Sequence, residues 1–170
     1  MGGSHSKNKG SGFENKIAKK LTEWSGVEFH RTPMSGALHW KQDTRVISDI
    51  VPPQGLIWPF SIECKKVEYD WSFSNFIEGT NLFWDHWKQA HDDAEREGLI
   101  PLLVFSKNYR NTYVAMTVDV FLVLYNKKKK PNFISIKCDK SCSKQDIVIL
   151  DFNEFLSNNS LEEIQLLSNN

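Results

Sequence analysis

The stretch Phe60-Ser61-Ile62-Glu63-Cys64-Lys65 decides the fold, because its apolar and polar residues alternate as they do in a β-strand. Successive side chains of a strand point to opposite faces, so Glu63 and Lys65 are predicted to share one face. The apolar side chains of the stretch are predicted to take the other face. A carboxylate and an ammonium group thus lie where a protein core does not readily accept charge, which indicates a functional site rather than core packing.

A second carboxylate, Asp49, interrupts the otherwise apolar stretch Val46–Val51, which is predicted to be a strand ended by Pro52. Carboxylates on two neighbouring strands form a hard, all-oxygen site of the kind that suits Mg²⁺. Lys65 would lie beside the ion, where it would orient an attacking water or neutralise charge in the transition state. The residue types therefore predict phosphodiester hydrolysis.

Glu14 is a third acidic candidate, placed on the first predicted helix. It precedes Ile17, Ala18 and Leu21 at helical spacing, on the face that is expected to be buried. A glutamate in the first turn also complements the helix dipole, and both interpretations stay open. A structural alternative exists for the strand residues too, namely an ion pair on a solvent-facing edge.

The size and composition of the chain limit the possible functions. The chain has 170 residues, 40% hydrophobic and 12% aromatic, which is enough for one domain with one core. Lysine plus arginine equals aspartate plus glutamate at 21 each, so only a local basic face is expected. The odd number of cysteines argues against a disulfide framework, and the lack of a long apolar run argues against a membrane span. Together they predict a cytoplasmic protein (the host-cell cytoplasm if viral). Cys138 and Cys142 are not expected to form a zinc site.

The element order predicts an α/β fold with a mixed central sheet flanked by helices. Residues 1–12 are predicted to be a flexible basic segment and residues 13–170 a single nuclease domain. The predicted helices run from Ser11 or Gly12 to about Trp24, from Asn81 to about Glu97, from Val120 to Tyr125 and around Leu156 to Leu167. The predicted strands are Val27–His30, Val46–Val51, Phe60–Val67, Ile100–Phe105, Tyr113–Val118 and Asp146–Phe152, with the second and third forming a hairpin-like pair.

These residues also resemble known nucleases. Asp49, followed fourteen residues later by Glu63-Cys64-Lys65, resembles the PD-(D/E)XK nuclease signature, with Ser48 where that superfamily usually has proline. The segments Lys9-Gly10-Ser11-Gly12-Phe13-Glu14 and Arg31-Thr32-Pro33-Met34-Ser35-Gly36 resemble the opening and the loop of archaeal-type Holliday junction resolvases. The resemblance covers about the first third of the chain.

The resemblance implies a restriction-endonuclease-like core and a homodimer that cuts branched DNA such as a four-way junction. It implies Mg²⁺ as the cofactor, for which Mn²⁺ is expected to substitute. The implied metal-site carboxylates are Glu14, Asp49 and Glu63, and the implied catalytic lysine is Lys65. Arg31 would contact phosphate, and Ser35 would be the loop serine near the cleaved strand.

Other features carry two interpretations each. The basic group that includes Lys9 and Lys16 neighbours Glu14 and is predicted to contact DNA, whereas Lys127–Lys130 is either a solvated loop or a phosphate-tracking one. Trp71 and Phe73 form either a dimer contact or a wedge for the branch point.

Two further features belong to the helix predicted after the Glu-x-Lys strand. Its aromatic and alanine stripe is predicted to pack in the core. Gln89 either supports the site or lies on the surface.

Three functions follow, and they differ in what happens to the DNA. The first is a structure-selective, Mg²⁺-dependent endonuclease. The second is a restriction-like or repair nuclease of the same fold that acts on linear duplex, flaps or ends. The third is a DNA-binding module without catalysis, against which the complete set Glu14, Asp49, Glu63 and Lys65 argues.

Overall fold

The computed structural model describes residues 3–32, 48–67, 82–107, 110–137 and 145–169. The helices are α1 Gly3–Ser25, α2 Leu82–Glu97, α3 Val118–Leu124, α4 Phe152–Asn158 and α5 Leu161–Gln165, followed by a 3₁₀ turn Leu166–Asn169. The strands are β1 His30–Arg31, β2 Ile50–Val51, β3 Phe60–Val67, β4 Ile100–Lys107, β5 Thr112–Thr117, β6 Phe133–Ile136 and β7 Ile147–Asp151. Ser35, Trp71, Phe73, Cys138 and Cys142 lie outside the described residues.

A five-stranded mixed sheet with the strand order β3-β4-β5-β7-β6 forms the centre, as the sequence predicted. β3 runs parallel to β4, and the remaining neighbours are antiparallel. The parallel pair needs a crossover, and α2 provides it between β3 and β4. β3 is therefore an edge strand of this sheet.

Helices cover both faces of the sheet. On one face, α1 buries Phe13, Ile17 and Leu21, which are spaced four residues apart and so form one side of the helix. On the other face, α2 buries Phe83, Trp87, Ala90 and Ala94, which confirms that its stripe packs in the core. Gly98 adopts a left-handed φ of 65° directly after α2, which lets the chain turn into β4. No helix among the described residues combines the length and the apolar character needed to cross a membrane.

The predicted hairpin-like pairing of the Asp49 segment with β3 is wrong. β2 pairs with β1 in a separate two-stranded antiparallel sheet, with His30 opposite Val51 and Arg31 opposite Ile50. Residues 46 and 47 lie outside the described part, and Asp49 itself lies in a bend rather than in a strand. Of the predicted strand Val46–Val51, the described residues 48–51 form a strand at Ile50–Val51 only, because the chain bends at Ser48 and Asp49 to meet β3.

Further boundaries differ from the prediction. α1 begins at Gly3 rather than at Ser11 or Gly12, because no proline interrupts the segment and each added residue gains a helical hydrogen bond. Residues 3–12, predicted to be a flexible segment, are thus part of this helix. The predicted strand Val27–His30 is replaced by His30–Arg31, since that is where β2 offers a partner.

At the C-terminal end, the predicted single helix is divided in two. Asn159 has an extended backbone, and the Ser160 hydroxyl accepts from the Glu163 N–H while the Glu163 carboxylate accepts from the Ser160 N–H, which starts a new helix. β6 has no counterpart in the prediction, because its four residues follow a lysine-rich loop and pair only with β7.

Ser48 joins the bend to the free edge of β3. Its hydroxyl accepts from the Ile62 N–H at 2.8 Å and donates to the Ile62 carbonyl at 3.0 Å. The residue is 7% exposed, so water does not readily replace these bonds. A side chain of the bend thus replaces the missing neighbouring strand at this point of the edge.

We predict that Ser48→Ala lowers the free energy of unfolding by about 1–3 kcal/mol, because the buried Ile62 N–H loses its acceptor. Urea unfolding followed by circular dichroism measures this change. Ser157→Ala is the matched control, since the Ser157 hydroxyl also donates to a backbone carbonyl but does so in an exposed position; its effect is expected to stay within about 0.5 kcal/mol. Equal effects of the two substitutions would contradict the role given to Ser48.

Candidate active site

Asp49 is held against β3 by its backbone and by its side chain. Its N–H donates to the Ile62 carbonyl at 2.9 Å, and its Oδ2 accepts from the Cys64 N–H at 2.8 Å. On the other side, the Thr32 N–H donates to the Asp49 carbonyl at 2.9 Å, which connects the bend to the end of β1. The carboxylate of Asp49 therefore has a fixed position beside the middle of β3.

Glu63 and Lys65 share one face of β3, as predicted, and their side chains form an ion pair between Glu63 Oε1 and Lys65 Nζ. Their neighbours in β4 are Leu103 and Phe105, which pack with the core on the α2 side. Glu63 is 6% exposed, whereas about a quarter of the Lys65 side chain is exposed. The pair is thus not a solvent-facing edge pair, and its lysine end faces outward.

The pKa values of the Asp49 and Glu63 carboxylates are both raised. Burial raises the pKa of Glu63 to about 7, and the charge of Asp49 adds to this while Lys65 opposes it. Burial also raises the pKa of Asp49, the Cys64 N–H opposes this, and the charge of Glu14 adds to the rise. Lys65 is therefore not enough to neutralise the acidic groups, and the site favours a further positive charge.

Glu14 comes near these carboxylates, but its own carboxylate is bound to Arg31. Arg31 Nη1 donates to Glu14 Oε2 at 3.1 Å, and the two side chains are 22% and 15% exposed. The position of Glu14 on the buried face of α1 agrees with the sequence interpretation, whereas its ion pair with Arg31 was not foreseen. Across the described parts of the chain, no three side chains of the His, Cys, Asp or Glu types gather closely enough to hold a metal ion. The three-carboxylate ligand set stays a prediction.

One neighbour of the site was missed from the sequence. His86 lies on α2, is partly buried, and has a pKa lowered by burial and further by the charge of Lys65. This places His86 on the flank of α2 that approaches the candidate site. Its spacing of three residues from buried Phe83 is the signal that would have indicated it. Gln89, the residue considered from the sequence, is exposed instead.

The remaining candidates lie away from these carboxylates or outside the described residues. Lys16 is exposed on α1. The side chain of Lys9 and all of Ser35 lie outside the description, so their roles stay predictions. In the lysine run, Lys128 is structural, because its ammonium donates to the Asn158 carbonyl at 2.8 Å and pairs with Glu163 at 2.6 Å.

The comparisons with known proteins add one finding to this geometry. A family model described as "Phage putative PDDEXK endonuclease" matches residues 5–166. The match spans Glu14, Asp49, Glu63 and Lys65 as well as every described strand. Comparison with curated proteins found no match, and comparison with solved structures found none either. The chain belongs to this phage PDDEXK endonuclease family, within the PD-(D/E)XK nuclease superfamily, and is accordingly a nuclease that hydrolyses phosphodiester bonds in DNA.

Proposed function

We propose that this nuclease is a metal-dependent, structure-selective endonuclease that cuts branched DNA, in the manner of the Holliday junction resolvases that its N-terminal third resembles. The observation that carries the catalytic part is the buried Glu63 with the half-buried Asp49, beside Lys65. The preference for branched DNA is supported by the order of Glu14, Arg31, Ser35, Asp49 and Glu63-Cys64-Lys65 along the sequence.

The donor set fits a hard divalent cation. Asp49 and Glu63 offer carboxylate oxygens, Glu63 is buried and Asp49 half-buried, and their repulsion is relieved when a cation binds between them. We propose Mg²⁺ as the ion, with Mn²⁺ able to substitute and with Glu14 as an outer acidic group. When bound, such an ion lowers the pKa of a water molecule and stabilises charge on a phosphate oxygen. Because Mg²⁺ keeps several waters, two protein carboxylates suffice to hold it.

Lys65 is the proposed catalytic cation of the chain itself. Its ammonium group is held next to Glu63 and is partly exposed, so it can donate to an oxygen of the scissile phosphate or to the attacking water. The neighbouring apolar residues of β4 and α2 limit access of water from the sheet side. Lys65 therefore supplies a fixed positive charge at the place where negative charge increases during hydrolysis.

Arg31 is proposed to contact a phosphate while it stays paired with Glu14. A guanidinium group has five N–H donors, and the bond to Glu14 uses the donors of Nη1 only. Glu14 therefore orients Arg31 towards the DNA in addition to its charge at the metal site. Ser35, Lys9 and Lys16 are proposed as further contacts to the DNA.

Cutting a four-way junction symmetrically requires two active sites. The chain offers one such site in the described residues, so we propose that two copies act together as a homodimer in the cytoplasm of the host cell. Each copy would then cut one strand of the junction.

We expect purified protein to cleave DNA in Mg²⁺ or Mn²⁺ and to be inactive in EDTA. Asp49→Asn and Lys65→Ala are each expected to lower the cleavage rate by roughly a hundredfold or more, because each removes a group that acts on the reacting phosphate. Binding of the same DNA, measured by fluorescence anisotropy, is expected to change by less than about threefold. Lys19→Ala is the control, since Lys19 is exposed and pairs with Glu23 on the same helix. Full binding without any cleavage by the unaltered protein would support the non-catalytic module instead.

The preference for branched DNA is tested with a labelled four-way junction and a linear duplex of the same sequence. Paired, symmetric nicks on the junction and little cutting of the duplex are expected, and gels under denaturing conditions measure both. Equal rates on the two substrates would overturn the structure-selective part and favour the restriction-like or repair alternative. Flapped and open-ended duplexes in the same assay identify which of these substrates is preferred.

Metal binding is tested without any cleavage, by the melting temperature of the protein. At Mg²⁺ about 100 times above the dissociation constant, we expect the melting temperature to rise by roughly 5–10 °C. Asp49→Asn and Glu63→Gln are expected to abolish most of this rise. Neither is expected to lower the melting temperature in EDTA by much, because each also removes repulsion between buried carboxylates. Asp119→Asn, an acidic control on α3 away from the site, is expected to keep the full rise; its loss there as well would contradict the assigned ligands.

A further inference from the structure

The face of β3 that carries Lys65 continues across the sheet as a row of residues in register. Lys65 lies opposite Phe105 of β4, which in turn lies opposite Tyr113 of β5. Residues directly opposite each other on neighbouring strands have their side chains on the same face of the sheet. The Phe105 and Tyr113 rings are accordingly in contact, with their centres 5.8 Å apart. An aromatic surface therefore begins beside the proposed catalytic lysine.

A cavity of about 740 Å³ opens at the Tyr113 end of this row. Its volume lies within the range of roughly 300–1,000 Å³ that is usual for ligand sites. Tyr113 is 36% exposed and Ile134 of β6 is 59% exposed, so both side chains are open to a ligand. Aromatic and aliphatic side chains are combined with two exposed amide groups in this lining, namely Phe105, Tyr113, Ile134, Ile149, Asn111 and Asn132.

The cavity is close enough to the candidate active site for one DNA strand to reach both. Neighbouring strands of a sheet are about 4.8 Å apart, so the backbone of Tyr113, two strands away from that of Lys65, lies roughly 10 Å from it. Nucleotides in a stacked DNA strand follow each other at about 3.4 Å. The base that reaches Tyr113 is therefore about three nucleotides from the phosphate at Lys65, or fewer where the strand is unstacked.

The residues of the cavity favour a nucleobase over a phosphate. Its described lining has no lysine or arginine and includes the carboxylates of Asp151 and Glu154, which repel the DNA backbone. A base stacks readily on a tyrosine ring, and its edge forms hydrogen bonds with amide groups. Asn111 has a fixed position for such a bond, because its Nδ2 donates to Asp151 Oδ2 at 3.1 Å and has a second hydrogen to donate.

A base that enters this cavity has to be unpaired. Each base of a duplex is stacked on its neighbours and paired along its edge, so it reaches a protein ring only after it has left the stack. Unpaired bases occur at flaps, gaps and the crossing points of branched DNA. Core packing accounts for Phe105, which is 4% exposed, but not for the open ring of Tyr113 beside it.

We propose that this cavity, which we call the base pocket, binds one unpaired nucleobase of the DNA substrate a few nucleotides from the cleaved bond. The base stacks on Tyr113, and Asn111 and Asn132 form hydrogen bonds with its edge. This inference rests on the proposed function and deepens it, because it names the group by which the protein distinguishes branched from fully paired DNA. Tyr113 is thereby a substrate-binding residue.

The first test measures DNA binding by fluorescence anisotropy in Asp49→Asn protein, so that cleavage is suppressed. Tyr113→Leu keeps an apolar side chain and removes the ring. We expect it to weaken binding of a duplex with a single-stranded flap by about fivefold to a hundredfold, the range for the loss of one base stacked on an aromatic ring. Binding of a fully paired duplex is expected to change by less than about twofold, because phosphate contacts dominate it. Tyr113→Phe is expected to keep flap binding, and Leu122→Ala, at an exposed apolar residue of α3, is the control.

The second test locates the bound base and needs no substitution in the pocket. Each nucleotide of the flap is replaced in turn by an abasic one, and binding is measured again. We expect one position to show most of the loss in protein with Tyr113 intact, and no further loss at that position in Tyr113→Leu protein, since both changes remove the same contact. Equal losses at every position would overturn the base pocket, and so would a loss that persists in Tyr113→Leu protein. Melting curves verify that each variant is folded.

The remaining outcomes separate the base pocket from the other proposals. If Tyr113→Leu lowers the molar mass in sedimentation equilibrium and weakens binding of both DNAs equally, the cavity is a contact between copies of the chain and the base pocket is wrong. Cleavage by the unaltered protein with unchanged flap binding for Tyr113→Leu would remove the pocket and leave the nuclease function intact. Flap binding that depends on Tyr113, without any cleavage by the unaltered protein, would keep the pocket and remove the catalytic proposal.

Discussion

The hydrogen bonds between the Ser48–Asp49 bend and the free edge of β3 are the constraint on which the candidate site depends. An edge strand exposes unpaired N–H and carbonyl groups, and here the Ser48 hydroxyl and the Asp49 backbone satisfy those of Ile62. The same arrangement directs the Asp49 carboxylate to the Cys64 N–H. Because Cys64 follows Glu63, this one contact brings together two carboxylates that are fourteen residues apart in the sequence. A proline at position 48, as the superfamily signature usually has, would lack the hydroxyl that makes these bonds, so this chain holds its aspartate in a different way.

At the candidate site, the burial of the carboxylates opposes their negative charge. Glu63 is nearly inaccessible to water and lies close to Asp49. Folding therefore places two negative groups in a poorly solvated region, beside the single ammonium group of Lys65, which is partly exposed. Such an arrangement is costly for the folded state and is retained where a bound cation or substrate offsets it.

The pairing of Glu14 with Arg31 links α1 to the candidate site. It ties α1 to β1, and β1 in turn is tied to the bend through Thr32 and Asp49. A shift of α1 would therefore displace Asp49 through this ion pair and the hydrogen bond between Thr32 and Asp49. α1 contributes both a buried face for the core and an acidic group near the carboxylates. The family match over residues 5–166 includes this helix almost completely.

The sequence by itself determined the fold class and the strand β3, because alternation and helical spacing report directly which face a residue takes. It placed Glu63 and Lys65 correctly on one face for that reason. Only the tertiary structure decided that the chain bends at Ser48 and Asp49 before β2 pairs with β1, and that Glu14 binds Arg31. Periodicity describes the surroundings of a residue within its own element, whereas these contacts join α1, β1 and β3 across the edge of the sheet. Partners across such an edge are selected by packing and by unsatisfied backbone groups, neither of which leaves a regular spacing in the sequence.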